Sequence, residues 1–187
     1  AKIFTPMNFD TWHPYRLRTM GFDQPTFLME PYNPPYYPPL FEKLGFSAVT
    51  RYVTKTVDDF EPSLDVWREF HTRAISQGYS VRPFNLANAA KEITWVYQLS
   101  TAMFRENYYY ADISESEFRA LYAGTAGRLD PDFFLYILDP QENPVGFCFS
   151  FADHREPTTV NVKTFGVLPH VRGEGIGAAL AYEVYKR

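Results

Sequence analysis

Apolar positions recur at two spacings along this chain, and the switches between them predict its elements. Tyr36 to Leu44 reads as a short helix closed by Gly45 at a C-cap position. Phe46 to Val57 alternates, with Val49, Tyr52 and Val53 among polar neighbours, which predicts a strand. Ser63 is positioned to cap a helix running to Ser76, with Leu64, Trp67, His71 and Ile75 on one face and Gly78 ending it. Ser80 to Phe84 reads as a short strand and Asn88 to Arg105 as a helix with Ile93, Val96 and Tyr97 on its buried stripe. A capping box at Ser114 and Glu117 opens another helix. Phe133 to Leu138 and Pro144 to Ala152 are apolar strands joined by a turn at residues 139–143. Thr158 to Val167 is a further strand, and a helix runs from Ile176. The predicted order after residue 79 is β-α-α-β-β-β-α.

That pattern divides the chain into residues 1–60, a linker helix over 61–78, and residues 79–187. The fold class expected is α/β. Eight of the 15 prolines fall in the first forty residues, where they leave an irregular stretch up to Pro35. An apolar fraction of 45% supplies a core, so disorder is excluded. A net charge of −4 argues against nucleic acid as the main partner, because phosphate contact needs a basic face. No segment approaches the roughly eighteen apolar residues of a membrane span, and no secretion signal opens the chain. Cys148 is the lone cysteine and sits in an apolar strand, so it reads as a core thiol in a reducing, cytoplasmic setting. The chain starts at Ala1 and stops inside a predicted helix, which is expected of a piece of a longer protein.

The chemistry concentrates near the end. A strand closing at Val167 passes Leu168 and Pro169, then Arg172, Gly173, Glu174, Gly175, Ile176, Gly177 and Ala178, and continues as a helix. Glycines let a backbone approach a ligand closely, and a helix start presents unpaired N–H groups and a positive dipole end. Together they form an anion site, to which Arg172 adds a fixed charge. A dinucleotide fingerprint would need an acidic residue about 20 positions on, and a phosphate-binding P-loop a Lys-Ser/Thr pair after the glycines. Neither is present. A glycine-rich helix start with no ligand stays open as the bland alternative.

The whole string resembles motif A of the GNAT superfamily of N-acetyltransferases: a strand ending Val-x-Pro, then Arg-x-x-Gly-x-Gly/Ala, filled here by Arg172, Gly175 and Gly177. The resemblance implies a central mixed sheet flanked by helices and acetyl-CoA as cosubstrate. Its pyrophosphate would lie over residues 172–178, and its pantetheine along Phe165, Val167 and Leu168. Gly166 would mark a bulge that splays the strand. Pro39 to Phe46 is similar to the family's fourth helix and its exit. Residues 1–60 therefore look like the second half of one such domain and residues 79–187 like the first half of the next, as in bacterial tandem acetyltransferase-like proteins. The linker helix would act as a strut. The two pieces would form one sheet in permuted order, within one chain or between two copies in a homodimer.

The implied activity is acetyl transfer to a small primary amine or a peptide N-terminus, without nucleic acid or membrane. Making the amine neutral at pH 7 costs about 4.6 kcal/mol for an amine pKa near 10.4. Asp153, His154 and Glu156 are the available acids and base, with Asp153 first. The family's thiolate-protonating tyrosine aligns with Phe41, which cannot donate, so Tyr36 and Tyr37 are the substitutes. Glu106 to Asp112, with three adjacent tyrosines, sits where the family places an acceptor wall. The same reading predicts that Gly175→Asp weakens CoA binding more than it lowers thermal stability. The rival, from a different class, is a non-catalytic CoA-binding or structural module.

Overall fold

A computed structural model of the 187-residue chain describes residues 2–124 and 129–187. It separates into two units: Ala1–Val57 with Tyr108–Ala111, and Asp58–Asn107 with Asp112–Arg187.

The first unit is mostly irregular, as its prolines require. Its one described helix, α1 (Tyr37–Lys43), begins with Pro38 in the first turn, where a missing N–H costs nothing. The helix stops at Gly45, whose φ of 83° suits glycine. Gly45 N–H bonds the Glu42 carbonyl at 2.9 Å and Phe46 N–H bonds the Phe41 carbonyl at 3.0 Å. Those two bonds make a Schellman cap, and the Phe41 and Phe46 rings pack edge to face across it at 5.7 Å. Buried Asn33 ties the remaining loops together: its Oδ1 accepts from Arg18 N–H at 2.8 Å and its amide donates to the Arg18 carbonyl at 3.1 Å.

The strand expected over Phe46–Val57 is not formed. Among the described residues this unit contains no strand to pair with it, and an unpaired strand is unstable in water. Val49, Val53 and Val57 are accordingly exposed. Tyr52 instead meets Tyr15 edge to face at 5.7 Å, with the Arg16 guanidinium 5.3 Å from the Tyr52 ring.

The second unit is a three-layer α/β fold. Strands β1 (Ser80–Pro83), β2 (Phe134–Leu138), β3 (Pro144–Asp153) and β4 (Glu156–Val167) form one sheet in the order β1-β2-β3-β4. Every described pairing is antiparallel, so the parallel pair of a mixed sheet is not among these strands. Helices α2 (Glu61–Ser76) and α5 (Ile176–Tyr185) cover one face, and α3 (Ala89–Phe104) covers the other with α4 (Glu115–Tyr122) against it.

Strand β2 shows why the sheet is central: all five of its residues are buried. Leu135 and Ile137 point toward Ala74, Ile176, Ala179 and Leu180, whereas Phe134, Tyr136 and Leu138 point toward Leu99 and Met103. A period of two with both faces apolar is the mark of a strand enclosed on two sides. The β2–β3 turn is closed by Asp139, whose carboxylate accepts from Gln141 N–H at 2.9 Å and Asn143 N–H at 2.8 Å. Cys148 lies fully buried, and burial pushes its thiol up to about 12, so it is an inert core residue.

Helix α2 differs from its expected role. It starts at Glu61 rather than after Ser63, because Pro62 fits a first helical turn. It is not a free strut: it packs along α5 and contributes Ala74 to the core. Leu64, Trp67 and His71 lie on its half-buried face as expected, but Ala74 rather than Ile75 completes it: Ala74 is buried and Ile75 exposed.

Candidate functional site

The glycine turn lies where the sequence placed it, between β4 and α5. A short 3-10 turn, Pro169–Val171, drops the chain off the strand and buries Val171. Gly173 and Gly175 then take φ of 81° and 83°, a left-handed conformation that side chains with a Cβ resist. Gly175 is the N-cap of α5 and provides no side-chain cap. The N–H groups of Ile176, Gly177 and Ala178 therefore open the helix as uncapped donors at its positive end. Around Gly173 an added Cβ would meet nothing within 4 Å, so this side of the turn is open to a ligand. The turn thus fits a pyrophosphate group in both donor chemistry and space.

Strand β4 supplies the adjacent edge. Val167 pairs with Gly146, and Leu168 N–H reaches the Val145 carbonyl at 2.7 Å. In an antiparallel ladder, alternate residues direct their backbone groups to opposite sides. Gly166 and Leu168 thus face β3, and Phe165 and Val167 turn their backbone groups to the outer edge. No strand covers that edge among the described residues. The expected bulge is displaced: Phe149 pairs with Thr164 and Ser150 with Val162, so the extra residue in β4 is Lys163. Gly166 stays in register, and its missing Cβ admits Met103, whose Sδ would lie 3.0 Å from it.

Arg172 does not direct its guanidinium at the turn. Its Nη2 donates to the Met103 carbonyl at 2.9 Å and its Nε to the Val167 carbonyl at 3.5 Å, with Glu106 3.6 Å away. It joins the end of α3 to the end of β4, a positive charge at a helix C-terminus where the dipole favours it.

The family assignment follows from the same segment. The model of the family described as Acetyltransferase (GNAT) family matches residues 93–187, which runs from within α3 through α5 and contains the whole turn. The chain belongs to the acetyltransferase (GNAT) family. A solved GCN5-related N-acetyltransferase from Sphaerobacter thermophilus is similar over 58% of this chain at 20% identity and a TM-score of 0.44. The similarity covers 31% of that protein, so this chain spans under a third of its length. The comparison with curated proteins yields no match.

Within this GNAT domain the expected general base is otherwise engaged. Asp153 is buried and accepts from Arg155 Nη2 at 2.7 Å, from Arg155 N–H at 2.9 Å and from Asn161 at 3.2 Å. The Arg155 side chain, more than any other neighbour, holds its carboxyl well below the usual carboxylate range. A carboxylate so paired is a poor proton acceptor, and Asp153 is the clasp of the β3–β4 turn. His154 and Glu156 are exposed on that same turn.

The depressed pKa sets a sign for stability. The contribution of Asp153 is complete above the ordinary aspartate pKa, about 3.9, and is lost as pH falls below that value. Asp153→Asn is therefore expected to lower the urea midpoint at neutral pH and to flatten the midpoint's decline on acidification. Parallel midpoint-against-pH curves for the two proteins would contradict this.

The other expected site residues belong to the first unit. Tyr36 is the N-cap of α1 and Tyr37 its first residue; the two rings meet edge to face at 5.1 Å and both are exposed. Phe41, which the resemblance sets against the family's tyrosine, is part of the Schellman cap described above. Tyr108–Ala111 also join the first unit: Tyr109 packs on Phe4 at 4.4 Å, and Trp12 Nε1 donates to the Ala111 carbonyl at 2.8 Å.

Two features of the second unit escaped sequence reasoning. Arg82 forks onto buried Glu92 at 2.9 and 3.0 Å and lies about 5 Å from both the Trp95 and Tyr136 rings. Phe70 and Arg73 of α2 come up against the glycine turn, as Arg73 Nη2 donates to the Glu174 carbonyl at 2.8 Å. The close spacing of Arg82 and Glu92 was the only available hint of the first. The second joins residues 101 apart in sequence and left no local signal. No helix among the described residues is long and apolar enough to cross a membrane.

Proposed function

We propose that this chain binds acetyl-CoA and takes part in acetyl transfer to a small primary amine or a peptide N-terminus. The observation that carries the reading is the glycine turn: two left-handed glycines, an uncapped helix start and open space at Gly173, inside the segment that matches the family. The N–H groups of Gly173 to Ala178 would hold the pyrophosphate, and the outward backbone groups of Phe165 and Val167 the pantetheine. Bound acetyl-CoA supplies an activated acetyl thioester. The chain's part is to hold that group and accept the amine's proton. With Asp153 occupied by Arg155, a solvent chain or the exposed His154 and Glu156 carries the proton. Tyr36 and Tyr37 are carried over from the family resemblance as candidates for protonating a departing thiolate. The lone buried thiol supports a cytoplasmic setting.

A second reading, a CoA-binding module without chemistry, is favoured by Phe41 and by the paired state of Asp153. Calorimetric titration with acetyl-CoA, followed by thiol release against a panel of amines, separates the two. Binding with thiol release is expected, and a rate unchanged in both Tyr36→Phe and Tyr37→Phe removes those tyrosines from the mechanism. Binding without release for any amine establishes the second reading. Absence of binding ends both.

A further inference from the structure

The helix that precedes the family-matched segment reaches into the cofactor turn. Helix α2 ends at Ser76, before residue 93 where the match begins, yet Arg73 Nη2 donates to the Glu174 carbonyl at 2.8 Å. Its guanidinium is held 5.0 Å from the Phe70 ring, a cation–π distance. Phe70 itself occupies the space a side chain at residue 175 would need: a Cβ on Gly175 would fall 2.1 Å from Phe70 Cδ1 and 2.9 Å from Arg73 Nη2. The α2 face of the turn is therefore closed, whereas the Gly173 side is open.

A peptide unit is planar and trans, so its C=O and N–H point in opposite directions. The carbonyl of Glu174 and the N–H of Gly175 belong to one peptide. A bond that draws the carbonyl toward α2 turns that N–H away from α2. In a turn built on two left-handed glycines, this peptide would otherwise reorient at little cost. Arginine suits the task because its charge is permanent and its donor geometry rigid.

We propose that Arg73, seated on Phe70, is a positioning residue for the acyl carrier's pyrophosphate: it fixes the Glu174–Gly175 peptide with its N–H aimed at the phosphate oxygens. The proposal rests on the acetyl-CoA reading above. It makes α2 part of the binding machinery, from outside the segment the family shares.

The test compares wild type, Arg73→Gln and Arg73→Lys by CoA calorimetry and by amide 1H–15N spectra of the unliganded protein. Arg73→Gln is expected to weaken CoA binding about tenfold, as the freed peptide then holds the binding orientation roughly a tenth as often. Its Gly175 cross-peak should move while its melting temperature stays near that of wild type. Arg73→Lys, which can still donate to the Glu174 carbonyl, is expected to recover most of the affinity and the wild-type Gly175 position. Equal CoA affinity in wild type and Arg73→Gln overturns the positioning role and leaves the acetyl-CoA reading standing. A wild type that does not bind CoA overturns both, whatever the Gly175 cross-peak does.

Discussion

Gly175→Asp is expected to unfold the second unit more readily rather than act as a clean binding mutation. Two costs add at this position. A residue with a Cβ at φ of 83° loses about 1 kcal/mol. The new Cβ would also lie 2.1 Å from Phe70 Cδ1, and forcing apart a packed contact costs roughly 1–3 kcal/mol. The sum, about 3 kcal/mol, is a large share of a typical domain's stability and corresponds to a fall of about 10 °C in melting temperature. Gly173→Ala shares the left-handed strain, at φ of 81°, but its Cβ meets nothing. Its cost should stop near 1 kcal/mol. Melting curves for the pair isolate the packing contribution, and equal losses in the two variants would show that Phe70 does not press on the turn. The sequence alone predicts that Gly175→Asp weakens CoA binding more than it lowers thermal stability; the Phe70 contact adds a stability cost because residue 175 faces a helix.

The second large effect is expected at Glu92. Its buried carboxylate accepts both arms of the Arg82 fork and the Asn85 N–H at 3.2 Å. The Arg82 guanidinium is held beside Trp95 and Tyr136, and the Tyr136 hydroxyl donates to the Glu92 carbonyl at 3.0 Å. Removing one partner of a buried pair costs about 3–5 kcal/mol, because the other charge is left without compensation. Arg82 keeps partial contact with solvent, its side chain being 29% exposed, so the lower end applies. Glu92→Ala should lose about 3 kcal/mol in a urea melt. The double variant Glu92→Met/Arg82→Leu should recover part of that, since an apolar pair leaves no stranded charge. A single variant as stable as wild type would mean that the pair contributes nothing.

How much of this was readable in the residues depends on how local each feature is. The capping box at Ser114, the turn at Asp139, the C-terminal cap at Gly45 and all four strands of the second unit are written within windows of a few residues. Each appears where expected, to within two residues of the observed bounds. The glycine turn belongs to this class, because its conformational demand and its helix start lie side by side. The strand expected over Phe46–Val57 failed for the opposite reason. Alternation records only that a segment suits a sheet, and pairing needs a partner the segment does not itself encode. The hydrogen bond from Arg172 to the Met103 carbonyl spans 69 residues and left no local signal. On α2 only the last position of the expected face differs, with Ala74 buried in place of Ile75, since a helix's orientation is set by what it packs on.

The contact between Arg73 and Glu174 has a further consequence, for the order in which this unit assembles. Strands β2, β3 and β4 are successive hairpins whose loops close over a few residues, so they can form early at small entropic cost. The turn that follows them gains its contact with Arg73 only when α2, 101 residues upstream, has docked. On the proposed role of Arg73, binding competence would depend on that long-range docking, and bound CoA would favour chains in which α2 is docked. Its binding energy then adds to the stability of the α2–α5 docking rather than to the sheet. Hydrogen exchange with and without CoA should show the added protection concentrated in Glu61–Ser76 and Ile176–Tyr185, the two helices that meet behind the turn.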